Sequence, residues 1–303
     1  MSVFYMFIDG IGFGQPDPDI NPFTRFAESF LAPLGGKALA SVPDGTVIQP
    51  VDASLGFPGL PQSATGQTAL WTGVNGPQVM GRHMTGFPGP TLIRVIQDHS
   101  IIKVLKDKGK KAALANAFSE AYLERIARKP RLTGASTHVH LASGQPLKNL
   151  DDLENRKALY MDITHEVMHR FFPHLKERFP VRNAEEVGRD AGMLARDYDM
   201  LIYEFFLSDK AGHNQSFEEA EWAIRTLESF LKGLCAVLRP EDTLLITSDH
   251  GNLEDLSTKT HTKNPVLALA YGRGSDGLME KVKDISDFPS FIYELLGVSV
   301  PRA

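Results

Sequence analysis

The sequence predicts an α/β fold in which helices flank both faces of a mostly parallel central sheet. Largely apolar runs at residues 3–8, 200–207 and 243–248 are typical of strands that are buried on both faces. A run with helical periodicity at residues 215–238 lies between the second and the third of these strands. Strands and helices therefore alternate, which is the pattern of a parallel sheet with helical connections.

The composition is that of one globular unit with enough apolar material for a large core. The chain has 303 residues, of which 42% are hydrophobic and 23% are charged. Its formal net charge is -5, so no overall positive field favours nucleic acid or an anionic membrane as a partner. We expect one α/β core over residues 1–303, with a small insertion or cap at about residues 118–198, where the pattern is less regular.

Cysteine content and the first residues limit the chemistry and the compartment. Cys235 is the single cysteine, which excludes an intramolecular disulfide and any multi-cysteine metal site. A metal must therefore be bound by histidines and carboxylates. The apolar start has no basic segment or cleavage site, and no run approaches the roughly 20 apolar residues of a membrane-spanning helix. We expect a cytoplasmic protein.

The first predicted strand ends at Asp9, which is followed by a G-x-G-x-G run. The carboxyl ends of parallel strands form the edge at which open α/β sheets bind ligands, so Asp9 is a candidate ligand. The alternative is an aspartate that only begins a turn. Pro16 and Pro18 follow where a dinucleotide-binding loop would open a helix, so the glycine spacing does not favour a Rossmann site.

Residues 59–73 predict a helix that begins near Pro61. Ser63 or Thr65 then lies in its first turn, where free backbone N–H groups and the helix dipole favour a bound anion. A hydroxyl at this place is well positioned to attack phosphorus. The alternative is that Ser63 only caps the helix.

Two later strands each deliver an aspartate and a histidine. Asp209 and His213 are four residues apart, so a helical turn after the strand would place them on one side, where they can share a metal. Asp249 and His250 follow the strand at residues 243–248 directly, and His261 comes eleven residues after His250.

The remaining predicted elements complete the alternating pattern. Residues 111–117 and 266–271 predict further buried strands, and residues 286–296 predict an amphipathic helix that closes the chain. Thr137-His138-Val139-His140 predicts an alternating strand whose two histidines share a face, either as an ordinary sheet surface or as a ligand pair.

These carboxylates and imidazoles are expected to converge at one edge of the sheet. Asp199 is a further carboxylate near a predicted strand end. Six or seven ligands are enough for two divalent ions, and a pair of ions about 3.5 to 4 Å apart can clamp the attacking and leaving oxygens of a displacement at phosphorus.

A second motif gives a competing hypothesis. His165-Glu166-Val167-Met168-His169 matches H-E-x-x-H, in which two histidines one helical turn apart bind zinc and the glutamate acts as a base. Residues 158–175 are expected to be helical, but no glycine-plus-histidine extension follows. A zinc protease is therefore a lesser alternative, as is a non-catalytic metal-binding protein.

The sequence resembles the alkaline phosphatase superfamily, and most closely the branch of cofactor-independent phosphoglycerate mutase and phosphopentomutase. The segments that carry the resemblance stand in the order of the family: Asp9, Gln62-Ser63-Ala64, Asp209 to His213, Ser248 to Asn252, and His261 to Val266. They frame nearly the whole chain, but residues 118–198 contain no matching motif.

The resemblance implies two metal sites and a serine nucleophile. The first site is Asp9, Ser63, Asp249 and His250, and the second is Asp209, His213 and His261. Ser63 would form a phosphoserine, because it stands three residues before Gly66 as the mutase nucleophile stands before its glycine; Thr65 stays a candidate. The mixed set of histidines and carboxylates favours manganese or zinc, with magnesium admissible.

Departures from the family favour hydrolysis of a small phosphorylated substrate over mutase chemistry. Gln67 stands where the mutases usually have a histidine, and we expect too little room for their large inserted substrate domain. The candidate substrate-binding residues are Arg82, His83 and Lys263, and a cap would add Arg125, Arg128 and Arg131. The oligomeric state is left open.

Overall fold

The computed structural model describes residues 1–129 and 132–299. Its strands are β1 (Val3–Ile8), β2 (Val47–Val51), β3 (Ala112–Leu114), β4 (Ala117–Phe118), β5 (Lys148–Asn149), β6 (Met200–Phe205), β7 (Thr243–Thr247) and β8 (Val266–Gly272).

The helices lie between and after these strands. They are α1 (Pro22–Phe26), α2 (Ser63–Thr72), α3 (Gly76–Met80), α4 (Pro90–His99), α5 (Ile101–Asp107), α6 (Glu120–Arg128), α7 (Ala135–Leu141), α8 (Leu150–Glu154), α9 (Glu166–Phe171), α10 (Ala184–Ala195), α11 (Leu207–Asn214), α12 (Phe217–Cys235), α13 (Leu278–Lys281) and α14 (Phe288–Leu295). Short 3₁₀ helices occupy Ala32–Gly35, Pro173–Leu175, Ser275–Gly277 and Ile285–Asp287. No helix in the described ranges is long and apolar enough to cross a membrane.

The central sheet has the strand order β2-β8-β7-β1-β6-β3. The four strands from β7 to β3 are parallel, whereas β8 runs antiparallel to both β7 and β2. Val3 of β1 lies opposite Met200 of β6 and Thr243 of β7, so these three neighbouring strands start and end in register. The prediction of a mostly parallel sheet is confirmed.

Strand β1 is apolar throughout because both of its faces are covered. Phe4, Met6 and Ile8 point into the core that contains α10 and α12. Tyr5 and its alternate neighbours point into the opposite core, where the Tyr5 ring packs 5.3 Å from Trp71 and 5.7 Å from Phe288, measured between centroids. A strand with helices on both faces reads as a continuous apolar run, which is the pattern from which it was predicted.

Helices α10 and α12 approach each other closely enough for backbone contact. A Cβ atom added at Gly188 of α10 would overlap the carbonyl oxygen of Phe230, and one added at Gly233 of α12 would overlap that of Glu185. These two glycines therefore allow the short distance between the helices.

The predicted insertion has a hydrophobic cluster of its own. The cluster is Ala117, Leu153, Ala158, Tyr160, Met168 and Phe179. The short strands β4 and β5 pair within the same region. Helix α10, at the end of the predicted range 118–198, packs instead on α12 in the main core. Whether residues 118–198 act as a cap stays a prediction.

The predicted strand at Thr137–His140 is wrong, because these residues lie in α7. His140 explains the error. Its Nδ1 accepts a hydrogen bond from the Leu114 N–H at 3.1 Å, and its Nε2 lies 2.9 Å from the Pro146 carbonyl oxygen. The buried histidine joins the helix to β3, so the alternating pattern reflects internal hydrogen bonds and not a sheet surface.

Replacing Gly188 by alanine is expected to lower the free energy of unfolding by at least about 2 kcal/mol, because the new Cβ meets backbone that cannot yield unless the helices separate. Helix propensity alone predicts the opposite sign, a gain of roughly 1 kcal/mol. Urea unfolding measures the difference. The matched control is Gly192→Ala on the same helix, whose Cβ would meet a side-chain methyl of Val237 at 2.5 Å and should cost less. Equal stability of Gly188→Ala and the parent protein would contradict the close packing.

Candidate metal centre

Three neighbouring strands deliver three aspartates to one edge of the sheet. Asp9 follows β1, Asp209 lies in the first turn of α11 after β6, and Asp249 follows β7. Because β1 is paired in register with both β6 and β7, their carboxyl ends lie side by side. The Asp9 N–H donates to the Phe205 carbonyl at 2.9 Å, which extends the β1–β6 ladder to the site itself.

The turn after β1 requires a glycine. Gly10 has φ +70°, a left-handed conformation that side chains rarely adopt, and an added Cβ would lie 2.6 Å from Asp209 Oδ1. The absence of a side chain at this position lets the β1 turn and the start of α11 approach each other. Asp9 and Asp209 are therefore neighbours because of both the sheet and this turn.

The first group of potential ligands centres on His250. Its Nε2 lies 3.5 Å from Asp9 Oδ1, 3.5 Å from Asp249 Oδ2 and 3.1 Å from the Ser63 hydroxyl oxygen. Asp9, Asp249 and His250 offer ligand atoms that all lie within 4.8 Å of one another. The structure thus brings together the four residues expected at the first metal site.

The second group centres on Asp209. Its carboxylate oxygens lie 3.3 Å from His213 Nε2 and 3.8 Å from His261 Nε2, and these two nitrogens are 3.3 Å apart. His250 Nδ1 lies 4.0 Å from Asp209 Oδ1, so the two groups adjoin. The structure brings together the three residues expected at the second site.

The hydrogen bonds of the two outer histidines select a tautomer that suits a metal. His213 Nδ1 lies 2.7 Å from the Lys259 carbonyl, and His261 Nδ1 lies 3.0 Å from the Pro61 carbonyl. A carbonyl oxygen only accepts, so each Nδ1 carries a proton and each Nε2 of the neutral ring presents a lone pair. This is the usual support of metal-binding histidines.

The donor set fits divalent cations. Asp9 Oδ1, Asp249 Oδ1 and His250 Nδ1 are buried and have no hydrogen-bond partner within the described ranges. Buried polar atoms are normally satisfied, and lone pairs that face one another at these distances repel unless a cation lies between them. Carboxylate oxygens and imidazole nitrogens are ligands that manganese and zinc accept.

Burial and mutual repulsion shift the pKa values in the first group. Burial, followed by the charges of Asp249 and Asp209, raises the pKa of Asp9 well above its usual range. Burial and the charge of Asp209 raise the pKa of Asp249 to about 7. Burial, followed by the proximity of His261, lowers the pKa of His250 to about 3, so that ring is neutral at pH 7. A cluster with these shifts gains stability from any positive charge placed among its carboxylates.

Amides that the sequence analysis did not assign to the site hold two of the aspartates. Gln67 Nε2 donates to Asp249 Oδ2 at 3.1 Å, and Asn252 Nδ2 donates to Asp209 Oδ1 at 2.7 Å. The sequence marks Gln67 only as the residue that stands where the mutases usually have a histidine. Its position on α2, one helical turn after Ser63, was the available signal.

A buried glutamate supports the same loops from beneath. Glu254 Oε2 accepts from the Gly12 N–H at 2.9 Å and the Asn252 N–H at 2.8 Å, and Oε1 accepts from the Thr262 hydroxyl. Burial raises the pKa of the Glu254 carboxyl. The residue ties the β1 turn, the Asp249 loop and the segment after His261 together, and no local pattern in the sequence marked it.

Ser63 is the first residue of α2 and does not cap it. The N-cap position is occupied by Gln62, and the Ser63 hydroxyl is directed to His250 instead. Thr65 differs, because its hydroxyl donates to the Gln62 carbonyl at 3.2 Å and accepts from the Met84 N–H at 3.2 Å. The two hydroxyls that the sequence left as alternatives thus have different surroundings.

Asp199 is not part of the site, which corrects one expectation. It lies just before β6, at the edge of the sheet opposite to Asp209. Its Oδ2 accepts a hydrogen bond from the Lys111 N–H at 2.8 Å. An aspartate at a strand's beginning and one at its end are both near a strand, but only the second reaches the ligand-binding edge.

The segment of Arg82 and His83, two of the residues suggested for substrate binding, adjoins α2, since the Ala64 N–H donates to the Met84 carbonyl at 3.0 Å. Arg82 is exposed and its Nε contacts Met84 Sδ at 3.1 Å, His83 Nε2 lies 3.3 Å from the Phe57 carbonyl, and Lys263 is exposed. Their role in substrate binding stays a prediction. The other basic residues named for a cap are Arg125, which lines the cavity beside Ser63, Arg128, which pairs with Glu124, and Arg131, which lies outside the described residues.

The expected helix at residues 158–175 is mostly absent, because α9 covers only Glu166–Phe171. His165 precedes it with φ 70°, and the Asp162 carboxylate accepts hydrogen bonds from the N–H groups of His165 and Met168, each at 2.9 Å. The chain turns sharply around this buried aspartate, so His165 is the N-cap of α9 and has a left-handed backbone, although its carbonyl accepts a hydrogen bond from the His169 N–H at 3.0 Å. The two histidines are therefore not both helical, as the motif requires.

The histidines of the H-E-x-x-H motif bind backbone instead. His165 Nδ1 lies 3.0 Å from the Pro180 carbonyl, and His169 Nε2 lies 2.6 Å from the Phe179 carbonyl. Glu166 accepts from the indole N–H of Trp222. The motif serves to attach one loop to another, and the geometry gives no support to a zinc protease.

A cavity of about 500 Å³ opens beside Ser63, Asp9 and Gln67. Glu204, near the end of β6, faces it and was not identified from the sequence. Burial, followed by the charge of Asp249, raises the pKa of Glu204 to about 7, against the opposing hydrogen bond from Ser136. The signal was a single acidic residue in an otherwise apolar strand.

Comparison of the sequence with known proteins identifies metalloenzyme relatives. The family model of the metalloenzyme superfamily matches residues 181–298. The chain is 31% identical over 113 residues to 2,3-bisphosphoglycerate-independent phosphoglycerate mutase 2 of Methanosarcina acetivorans and 34% identical over 115 residues to the 2,3-bisphosphoglycerate-independent phosphoglycerate mutase of Acetivibrio thermocellus. Each match covers 35% of this chain and 22% of the mutase, so most of each mutase has no counterpart in the match.

Comparison of the structure extends the similarity to the whole fold. The alkaline phosphatase of the Antarctic bacterium TAB5 superposes with a TM-score of 0.56 at 12% identity, over 99% of this chain and 98% of that one. The alkaline phosphatase of Shewanella sp. gives a TM-score of 0.59 at 13% identity, over 98% and 100%. A phosphoglycerate mutase of Leishmania mexicana gives 0.51 at 12% identity, over 99% and 96%.

Metal removal and Asp249→Asn are expected to have opposite effects on thermal stability. The variant should raise the Tm of the metal-free protein at pH 8, because it removes the charge of a buried carboxylate that lies beside those of Asp9 and Asp209. Manganese or zinc should raise the Tm of the parent protein by several degrees and that of the variant much less, because a ligand stabilises only the state that binds it.

Differential scanning fluorimetry with and without chelator measures both effects, and elemental analysis gives the metal content. The control is Asp107→Asn, which changes a carboxylate with 58% side-chain exposure on α5. If neither metal nor chelator changes the Tm of the parent protein, the assignment of a metal centre is contradicted.

Proposed function

We propose that the chain is a metalloenzyme of the alkaline-phosphatase-like superfamily, that it catalyses metal-dependent phosphoryl transfer, and that its reaction is the hydrolysis of phosphate monoesters through a phosphoserine at Ser63. The observation that carries the proposal is the position of the Ser63 hydroxyl, 3.1 Å from His250 Nε2 at the amino-terminal end of α2. Few arrangements place a hydroxyl, a helix N-terminus and clustered carboxylates so close together.

Each group has a role in the proposed reaction. Two divalent ions, one bound by each ligand group, would lower the pKa of the Ser63 hydroxyl and neutralise the phosphoryl oxygens. The positive end of the α2 dipole adds to the attraction for the anionic phosphate. Gln67 and Asn252 keep the carboxylates of Asp249 and Asp209 oriented, so the residues around the phosphorus need little rearrangement.

The bond changes are those of a double displacement. Ser63 Oγ attacks phosphorus, and the bond from phosphorus to the ester oxygen breaks. The serine hydroxyl loses one proton and the departing alkoxide gains one, so the number of protons is unchanged. Water then attacks the phosphoserine, the bond between phosphorus and Oγ breaks, and inorganic phosphate leaves while the serine regains its proton. The net reaction consumes one ester and one water and yields one alcohol and one phosphate.

The metal identity is also part of the proposal. Four carboxylate or hydroxyl donors and three imidazoles favour manganese or zinc over magnesium, which prefers oxygen ligands and retains water. The division into a group of three ligands around Asp209 and a group of four around His250 supports two ions.

Mutase chemistry is the second candidate. The sequence matches to phosphoglycerate mutases favour it. Residues 181–298 of this chain, which match the superfamily model, include Asp209, Asp249, His250 and His261. In that reaction the phosphoserine would return its phosphoryl group to a second hydroxyl of the bound substrate, and water would have to be excluded.

Ser63→Ala is expected to lower kcat for an aryl phosphate by about a thousandfold or more in the presence of manganese or zinc, because the nucleophile is lost. Phosphate release gives the rate, and mass spectrometry of acid-quenched parent protein locates the phosphoryl group. The control is Thr65→Ser, which retains the hydroxyl that bonds Gln62 and should retain activity. A phosphothreonine at position 65, or full activity of Ser63→Ala, would contradict the assignment.

Hydrolysis and mutase chemistry predict different destinations of the phosphoryl group. With 3-phosphoglycerate in ¹⁸O-labelled water, a hydrolase gives inorganic phosphate that carries one labelled oxygen, whereas a mutase gives unlabelled 2-phosphoglycerate. We expect labelled phosphate from any ester that turns over, and ³¹P NMR resolves the two products. Predominant formation of 2-phosphoglycerate would favour the second candidate.

A further inference from the structure

We infer that the ester hydrolysed at this site is the phosphate of an uncharged alcohol that bears an apolar ring, and not of an anionic sugar acid such as phosphoglycerate. The inference rests on the proposed function, since it assigns the cavity beside Ser63 to the alcohol part of the substrate. It concerns which alcohols the cavity accepts and leaves the chemistry at phosphorus unchanged.

The cavity beside Ser63 has mostly apolar walls. Its volume of about 500 Å³ is sufficient for a ring-bearing alcohol. The large apolar side chains that line it are Phe87, Phe118, Tyr122, Met161, Phe172 and Phe206. Phe87 is 50% exposed and Phe206 is 39% exposed, so both rings offer apolar surface that a ligand in the cavity would cover.

An aromatic pair provides a flat surface within the cavity. The rings of Phe118 and Tyr122 stack with centroids 4.8 Å apart and an interplanar angle of 14°. The guanidinium carbon of Arg125 lies 4.8 Å from the centroid of the Tyr122 ring. The cation of Arg125 thus already has an aromatic partner.

The charges around the cavity disfavour an anionic alcohol. Glu204 faces the cavity, and its carboxylate accepts a hydrogen bond from the Ser136 hydroxyl. The Asn116 side chain fixes the Glu204 backbone: its Oδ1 accepts from the Glu204 N–H at 2.9 Å, and its Nδ2 donates to the Glu204 carbonyl at 2.8 Å. Arg125 is the one basic residue among the cavity-lining residues in the described part of the chain. A carboxylate on the alcohol part of the substrate would lose its hydration and lie near the Glu204 carboxylate, whereas a hydroxyl could donate a hydrogen bond to Glu204.

The test compares esters whose leaving groups are all alkoxides, so that leaving-group reactivity does not decide the result. The substrates are 2-phenylethyl phosphate, glycerol 1-phosphate and 3-phosphoglycerate, each with manganese or zinc at pH 8. We expect kcat/KM for 2-phenylethyl phosphate to exceed the other two by about tenfold or more, because a buried phenyl ring contributes binding energy that the polar alcohols lack.

Two variants separate the apolar wall from the charge. Tyr122→Ala should lower kcat/KM for 2-phenylethyl phosphate by about tenfold and change that for glycerol 1-phosphate little. Glu204→Gln should raise the ratio of kcat/KM for 3-phosphoglycerate to that for 2-phenylethyl phosphate, since it removes the opposing charge. The control is Phe171→Ala, an aromatic residue with 60% exposure that does not line the cavity and should leave all three values unchanged.

Calorimetry on the Ser63→Ala protein distinguishes failure of this inference from failure of the proposed function. Tighter binding of 2-phenylethyl phosphate than of 3-phosphoglycerate, without turnover of any ester by the parent protein, would support the cavity assignment and overturn the hydrolase. Turnover of 3-phosphoglycerate as fast as that of 2-phenylethyl phosphate, with equal binding, would overturn the inference and leave phosphoryl transfer standing.

Discussion

The mutual repulsion of Asp9, Asp209 and Asp249 is the constraint on which the rest of this site depends. Three carboxylates in one partly buried volume destabilise the fold unless the surrounding structure holds them and a positive charge compensates them. The sheet supplies the first condition, because β1 is hydrogen-bonded to both neighbouring strands in register. Every other feature of the site can be understood as support for this arrangement.

That support is arranged in layers. Gln67 and Asn252 each donate to one aspartate, and Glu254 joins the loops that carry them. Glu254 is itself a buried carboxylate, but it accepts several hydrogen bonds, so its charge is balanced by donors. The unbalanced charge is thereby confined to the aspartates, where a cation has a function.

The features that the sequence revealed are those with a local physical cause. Strands covered on both faces are continuously apolar, and residues that end them lie at a known edge, so Asp9, Asp209 and Asp249 could be identified before the fold was seen. The helix beginning at Ser63 followed from the preceding proline in the same way. These inferences needed only the neighbours of each residue along the chain.

The features that the sequence did not reveal depend on contacts between distant segments. The alternating residues of α7 predict a strand, but both ring nitrogens of His140 bind backbone groups of other segments, which the local pattern does not show. The H-E-x-x-H motif suggested a zinc site, but Asp162 turns the chain at His165, and three fixed residues do not specify that turn. Glu204 stood out as a charge in an apolar strand, yet its meaning depends on a cavity formed by residues about 70 to 120 positions away in the sequence, such as Phe87 and Ser136.

One hydrogen bond described above links the two halves of the site. The His261 Nδ1–H donates to the carbonyl of Pro61, two residues before Ser63. The ring whose Nε2 belongs to the second ligand group therefore also anchors the segment from which α2 and its serine begin. A displacement of His261, by a bound ion or by a substitution in its loop, is therefore expected to shift Ser63 as well. The ligand group that does not include Ser63 thus helps to determine where Ser63 stands.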